Sequence, residues 1–211
     1  MFASIRRHRL TDGSIDELTR RVDESFVEEL SARPGFLSYE LIDCGNGEFT
    51  AISLFSEEQD AQASRELAAR WTEANLADMK FGRIEALHGF VLVSRARDEL
   101  LRPGRRFATL RRYQLRGGAA DEVMQIVDDV FADLIAGMDG FEAYHALDCA
   151  SDEIVSISMF RDRASAEESD ARSLQFVSEY LQRFDIERTE LISGEVIVSR
   201  ASAPLLEPAH V

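Results

Sequence analysis

Cysteine is scarce in this 211-residue chain. Cys44 and Cys149 alone exclude a disulfide framework and a cysteine-built zinc site, and reduced thiols are expected. Long apolar runs are missing too: none approaches the ~20 residues that span a bilayer. The first residues, Met1-Phe2-Ala3-Ser4-Ile5-Arg6, turn charged at once without an apolar core segment. No signal peptide is therefore expected, and the chain reads as cytoplasmic. Positive charge is in short supply, with 24 Lys and Arg against 39 Asp and Glu, a net charge of −15 and a pI near 4.7. That balance disfavours phosphate backbones and anionic membranes, so neither a nucleic acid nor a membrane is expected as a partner. The local basic clusters, Arg6-Arg7-His8-Arg9 and Arg102 through Arg112, read as strand or surface arginines in an acidic whole. Histidine is sparse as well, and the four present show no metal-ligand spacing, so no metal is expected. A glycine-rich phosphate loop and a G-x-S-x-G elbow are absent. No His–Asp arrangement in the sequence would activate either thiol. No cofactor is expected.

What is present is a repeat. Phe2-Ala3-Ser4-Ile5-Arg6-Arg7 aligns with Phe107-Ala108-Thr109-Leu110-Arg111-Arg112, and the same offset of 105 residues continues without a gap. Gly35-Phe36 falls on Gly140-Phe141, Asp43-Cys44 on Asp148-Cys149, and Val93-Ser94-Arg95-Ala96 on Val198-Ser199-Arg200-Ala201. About 30 of about 95 paired positions are identical, too many for chance over a gapless register. The chain thus divides into repeat 1 (1–96), a linker (97–106) with Pro103-Gly104, repeat 2 (107–201) and a tail (202–211) expected to fray.

Each repeat reads β-α-β-β-α-β. In the first, a strand over 2–10 precedes a turn at Asp12-Gly13, with Ser14 placed to cap the following helix. Ile15, Leu18, Val22, Phe26 and Leu30 then recur at helical spacing, and Pro34-Gly35 ends the run. Strands over 36–44 and 49–55 flank the turn Gly45-Asn46-Gly47. A second helix carries Ala61, Ser64, Leu67, Ala68 and Trp71 on one stripe, matched in repeat 2 by Ala166, Ser169, Ser173, Phe176 and Tyr180. The last strand covers 89–95. This order is the split βαβ, ferredoxin-like arrangement, with two helices on one sheet face. Ile52 and Leu54 alternate with Ala51 and Phe55, so both faces of strand three are apolar and both must be buried. The second copy supplies the cover, and the expected fold is α+β: two ferredoxin-like repeats closing as a pseudo-dimeric barrel, with a monomer as the minimal unit.

Pro34-Gly35-Phe36-Leu37-Ser38 after helix one, the strand bearing Tyr39, and the helix from Phe55 to Trp71 together resemble the dimeric α+β barrel superfamily, nearest its antibiotic-biosynthesis-monooxygenase-like group. The resemblance covers nearly all of each repeat, with no single strict motif. It implies two ferredoxin-like units in one barrel, and activities that include cofactor-independent oxidation of polycyclic phenols and haem degradation. Haem-degrading relatives use an Asn on strand one with a Trp and a His near helix two. Here strand one offers Ser4, Arg6 and His8 instead, which argues against haem.

Candidate ligand-binding residues follow from position. Arg6 and Arg111 are equivalent strand-one residues, and Arg6 shares a face with His8. A buried arginine needs an anion, either a ligand or an internal carboxylate such as Glu85 or Glu190. The repeats differ in chemistry at His8 and Tyr113, at Glu40 and His145, and at His88 and Ser193, as if one half kept a pocket and the other became a scaffold. Drift at surface positions would give the same differences. Tyr39 and Tyr144 are either phenol contacts or packed strand residues. Trp71 is either core or a ligand platform, with Asn75 one turn on. No catalytic residue is named. Two readings stand together: a cofactor-free monooxygenase acting on a small aromatic or polyketide-like compound, and a non-catalytic binding or structural pseudo-dimer.

Overall fold

The computed structural model describes all 211 residues. β1 (Phe2–Asp12) pairs antiparallel with β3 (Glu48–Phe55) from Phe2 opposite Phe55 to Arg9 opposite Glu48. β2 (Phe36–Gly45) forms a hairpin with β3 through Gly45, Asn46 and Gly47, all at positive φ. Between β1 and β2 lies a helix in three stretches: α1 (Ile15–Arg21), a π turn (Val22–Phe26) and α2 (Val27–Ser31). Ser14 sits at its N-terminus but its side chain makes no capping bond; Asp16 and Glu17 instead meet the positive helix end. Gly35 reverses the chain at φ +68°, in the left-handed region that favours glycine. α3 (Glu58–Asn75) follows, with Ala61, Ser64, Leu67 and Trp71 buried.

Repeat 2 gives the same elements: β5 (Arg106–Gly117), α4 (Ala120–Ile126), a π turn (Val127–Phe131), α5 (Ala132–Ala136), β6 (Phe141–Cys149), β7 (Glu153–Phe160) and α6 (Arg163–Tyr180). Tyr180, expected on the buried stripe, is 46% exposed because it closes the last turn and stacks on Phe176 from outside. The final strands are far longer than expected. β4 runs Lys80–Ala96 and β8 Asp185–Ala201, each 17 residues, and their first halves, which bury only alternate residues and only partly, precede the glycine at which the apolar pattern starts.

Hydrogen-bonded strand order is β1-β3-β2-β8-β5-β7-β6-β4, closing into an eight-stranded barrel. The fold is α+β, with a ferredoxin-like unit duplicated along the chain. Compact units and sequence repeats are nonetheless different partitions. Unit 1 holds residues 1–88 and 194–205, and unit 2 holds 89–193 and 206–211. Each unit therefore completes its sheet with half of the other repeat's last strand. β2 pairs with β8 from Ser38 opposite Ala201 to Asp43 opposite Glu195. β6 pairs with β4 from Cys149 opposite Gly89 to Ala143 opposite Ala96.

Each unit has its own core between sheet and helices. In unit 1, Leu18, Phe26, Leu30, Tyr39, Phe55 and Trp71 are buried together; in unit 2, Val123, Phe131, Ile135, Tyr144, Phe160 and Phe176 hold the equivalent places. The linker is pinned by Leu100, 2% exposed, and by Arg106, which ion-pairs with Glu142 and donates to the carbonyls of Glu99 and Arg102. The tail carries a short 3-10 helix (Ala203–Leu206), a bridge from Ala209 to Ser94, and His210 3.1 Å from Asp128. Cys44 and Cys149 are both free thiols, and burial pushes Cys149 up to about 12. No helix is long and apolar enough to cross a membrane.

Candidate functional site

Unit 1 contains a cavity of about 350 Å³ between its sheet and its helices. That volume is within the ~300–1,000 Å³ typical of small-molecule sites. The π turn brings Phe26 to its wall, where the ring meets Trp71 at 5.1 Å and Tyr39 at 5.4 Å between centroids. Trp71 is fixed by an Nε1 hydrogen bond to Ser25 Oγ at 3.0 Å. β1 contributes Arg6 and His8, which alternation puts on the cavity face. The His8 ring stacks on Phe49 at 5.2 Å and meets the Phe81 edge at 5.7 Å. Arg65 from α3 and Arg83 from β4 complete the lining.

Two polar atoms on this lining lack internal partners. Arg6 Nη2 and His8 Nδ1 are buried and hydrogen-bonded to nothing. Arg6, Arg65 and Arg83 form no ion pairs, although the chain carries an excess of 15 acidic charges. Burial, and then the charges of Arg65 and Arg83, hold the Arg6 guanidinium below its usual pKa. Burial, with Arg6 and Arg83 nearby, lowers His8 to about 4, so its imidazole is neutral at neutral pH. Burial raises the Tyr39 hydroxyl, partly opposed by Arg6.

Unit 2 shows the same place with its polar groups satisfied. Arg111, the counterpart of Arg6, is fully buried and donates to Asp170 Oδ1 at 3.0 Å, Ser158 Oγ at 2.9 Å and Ser169 Oγ at 2.8 Å. Arg188, the counterpart of Arg83, reaches the same Asp170 oxygen at 2.7 Å. Tyr113, opposite number of His8, shares a 2.7 Å hydrogen bond with Ser173. The cavity that remains is about 30 Å³, room for a single water. The differences trace to three substitutions between repeats: Asp170 becomes Arg65, Ser173 becomes Ala68, and Ser156 becomes Ala51. The serines that hold Arg111 are retained as Ser53 and Ser64, yet Arg6 bonds to neither, and Ser53 Oγ is buried without a partner.

Of the residues singled out from sequence, Arg6, His8, Tyr39 and Trp71 meet around the unit 1 cavity. Asn75 lies outside it, its amide donating to the Trp71 carbonyl at 2.9 Å. His88 is exposed and packs against Phe2, centroids 6.0 Å apart. Tyr113 and Tyr144 line the small unit 2 cavity, and Arg111 is locked beside it. His145 is buried elsewhere in unit 2, its Nδ1 3.0 Å from Ser94 Oγ. Glu190 pairs with Arg112 at 2.9 Å and is not a partner of Arg6. Arg65 and Arg83 are functional candidates that only the folded chain brings beside Arg6; the sign reversal from Arg65 to Asp170 is the signal the sequence carries for the first of them.

No family model matches the chain, and no curated protein matches it in sequence. Solved structures do match. One named a "putative monooxygenase" from Fusobacterium nucleatum superposes with a TM-score of 0.73 at 7% identity, over 95% of this chain and 94% of that one. A second protein so named, from Lactobacillus acidophilus, gives 0.67 at 11% identity over the whole of both chains. An anthrone oxidase-like protein gives 0.56 at 11% identity, over 96% of this chain and 94% of that one. At such identities the likeness carries fold alone. Strand order and these superpositions agree: the chain shares with these structures an α+β fold whose eight strands close into a barrel.

Proposed function

We propose that the unit 1 cavity binds a small aromatic or polyketide-like compound and oxidises it with dioxygen, without a cofactor. The carrying observation is the neutral imidazole of His8, its Nδ1 unpartnered, on an aromatic-walled cavity beside three unpaired guanidinium groups. In this chemistry the substrate supplies the electrons. A base removes a proton from an acidic C–H next to a phenol or ketone, and the carbanion adds dioxygen. The resulting hydroperoxide loses water to leave a quinone, so one CH2 and one O2 become one C=O and one H2O. His8 would take the proton, and Arg6 would stabilise the developing negative charge. The naming of similar structures as monooxygenases and as anthrone oxidase-like supports the same direction.

The low basicity of His8, near 4, favours a second reading in which the cavity binds without reacting. An oxygen electrode separates the two. Anthrone added to the metal-free, cofactor-free protein should consume one O2 per anthraquinone formed. His8→Phe should remove most of that rate. No uptake above the uncatalysed background, with binding retained, would select the second reading.

A further inference from the structure

We infer that the natural ligand of the unit 1 cavity is a carboxylate: a flat apolar body whose anionic head is held by Arg6, Arg65 and Arg83. The inference rests on the placement of the ligand site proposed above, and not on whether that site catalyses oxidation.

The chain carries its own template for this interaction. In unit 2 a carboxylate, that of Asp170, sits between Arg111 Nε at 3.0 Å and Arg188 Nη1 at 2.7 Å. Unit 1 keeps both arginines, as Arg6 and Arg83, and replaces the carboxylate by a third arginine. The charge at this point of the fold changes from two cations around one anion to three cations around none. Arg6 is the half-buried member, with one buried nitrogen unpartnered, and it bears the cost of an unpaired charge, while the exposed Arg65 and Arg83 add like charge beside it. A chain with 39 acidic residues had ample means of neutralising the trio internally, yet Arg6, Arg65 and Arg83 all stay unpaired. A ligand anion at the position that Asp170 takes in unit 2 would satisfy all three.

The shape of the site fixes the rest of the ligand. Arg65 and Arg83 are exposed at the edge of the cavity, while Arg6 is half-buried. Inward from them the walls are Phe26, Tyr39, Trp71 and the His8–Phe49 stack, which suit a planar hydrocarbon body. A guanidinium fork binds a carboxylate in two parallel hydrogen bonds, a geometry that a single phenolate oxygen does not offer. Partial burial keeps the interaction from being fully screened by salt.

Isothermal titration calorimetry of the full chain with 2-naphthoate, 2-naphthamide and 2-naphthol tests this. The three probes share a body and differ in the head. Naphthoate is expected to bind about tenfold tighter than naphthamide or more, as charge-assisted hydrogen bonds imply. Arg65→Asp imports the unit 2 residue and should reduce naphthoate affinity at least tenfold while leaving naphthamide within about twofold. Arg65→Gln, which only removes the charge, should fall between. Equal affinity for naphthoate and naphthamide, or naphthoate binding unchanged in Arg65→Asp, would overturn the carboxylate assignment and leave the cavity as a site for a neutral ligand. Tightest binding of naphthol would overturn it in favour of a phenolate. Failure of all three probes to bind would instead sink the placement of the ligand site itself.

Discussion

Position 65 in one repeat and 170 in the other differ in charge: the strand-one Arg111 has the Asp170 carboxylate as its partner, and the strand-one Arg6 faces Arg65 instead. Asp170 pairs with Arg111 and Arg188, and Ser158 and Ser169 accept two further hydrogen bonds from Arg111. Removing that charge in Asp170→Asn should cost about 2–3 kcal/mol, reduced from a fully buried pair because Asp170 is 21% exposed. The reverse holds in unit 1, where Arg65→Asp should raise the melting temperature by giving Arg6 and Arg83 a counterion. Stability gained there at the expense of ligand affinity is the exchange expected of a functional site. A fall in melting temperature for a folded Arg65→Asp would show that the trio is not strained by its own charge. His145 supplies a separate test at neutral and acid pH. Burial lowers it from an ordinary 6.5 to about 4, so the folded protein holds it neutral and the unfolded chain takes the proton first. Its contribution is complete above about pH 6.5 and is lost progressively as pH falls through 4, on the order of 3 kcal/mol in all. Urea titrations at pH 7 and pH 4.5 should show a smaller acid loss for His145→Asn than for the wild type. Equal losses would mean that the imidazole is not held neutral.

At the scale of elements, the two 17-residue strands carry the organisation. Gly89 in β4 and Gly194 in β8 stand where each strand begins to pair with the other repeat. A Cβ at Gly89 would lie 2.3 Å from the Asp148 carbonyl oxygen, and one at Gly194 would lie 2.1 Å from that of Asp43. Both contacts are to backbone and cannot relax by a rotamer change. Gly89→Ala and Gly194→Ala should therefore each cost about 1–3 kcal/mol in urea unfolding. Gly82→Ala, on the same strand with open space around it, should be neutral or slightly stabilising. Losses equal to that of Gly82→Ala would show that the close approach is not needed. The element order, the turn at Gly45-Asn46-Gly47 and the helix end at Gly35 were legible in sequence because each rests on local chemistry. The π turns at Val22–Phe26 and Val127–Phe131 were not, since one extra residue in a helical turn leaves the apolar spacing nearly intact. The starts of β4 and β8 were hidden because their first halves bury only alternate residues, and only partly. Half of the site was legible by the same logic: alternation put Arg6 and His8 on one face, whereas Arg65 and Arg83 come from other elements that only the folded chain brings beside them.

For the whole molecule, we expect duplication in one chain to replace association of two. The exchange of strand halves is what makes the replacement binding: β2 of repeat 1 has β8 of repeat 2 as its neighbour, and β6 of repeat 2 has β4 of repeat 1. Val91 and Val93 of β4 are 3% and 0% exposed, and Val198 of β8 is 4% exposed, so these halves are core and not trim. We expect the full chain to be satisfied as a monomer. A chain cut at Pro103-Gly104 should not give two independent folded monomers. Residues 1–101 would keep β4 but lose the strand that covers β2, and residues 105–211 would keep β8 but lose the strand that covers β6. Each fragment thus carries one free edge and one apolar strand end, which two copies of the same fragment, or one of each, can satisfy mutually. Burial of several hundred Å2 of apolar sheet at ~25 cal/mol per Å2 is on the order of ten kcal/mol before association costs. Repulsion between two acidic fragments in ordinary salt is far smaller at these separations. Light scattering on each fragment alone should therefore report dimers or larger, and an equimolar mixture should report one heterodimer with the mass of the intact chain. Two fragments that stay folded and monomeric at micromolar concentration, alone and mixed, would show that the exchanged strand halves do not hold the fold together.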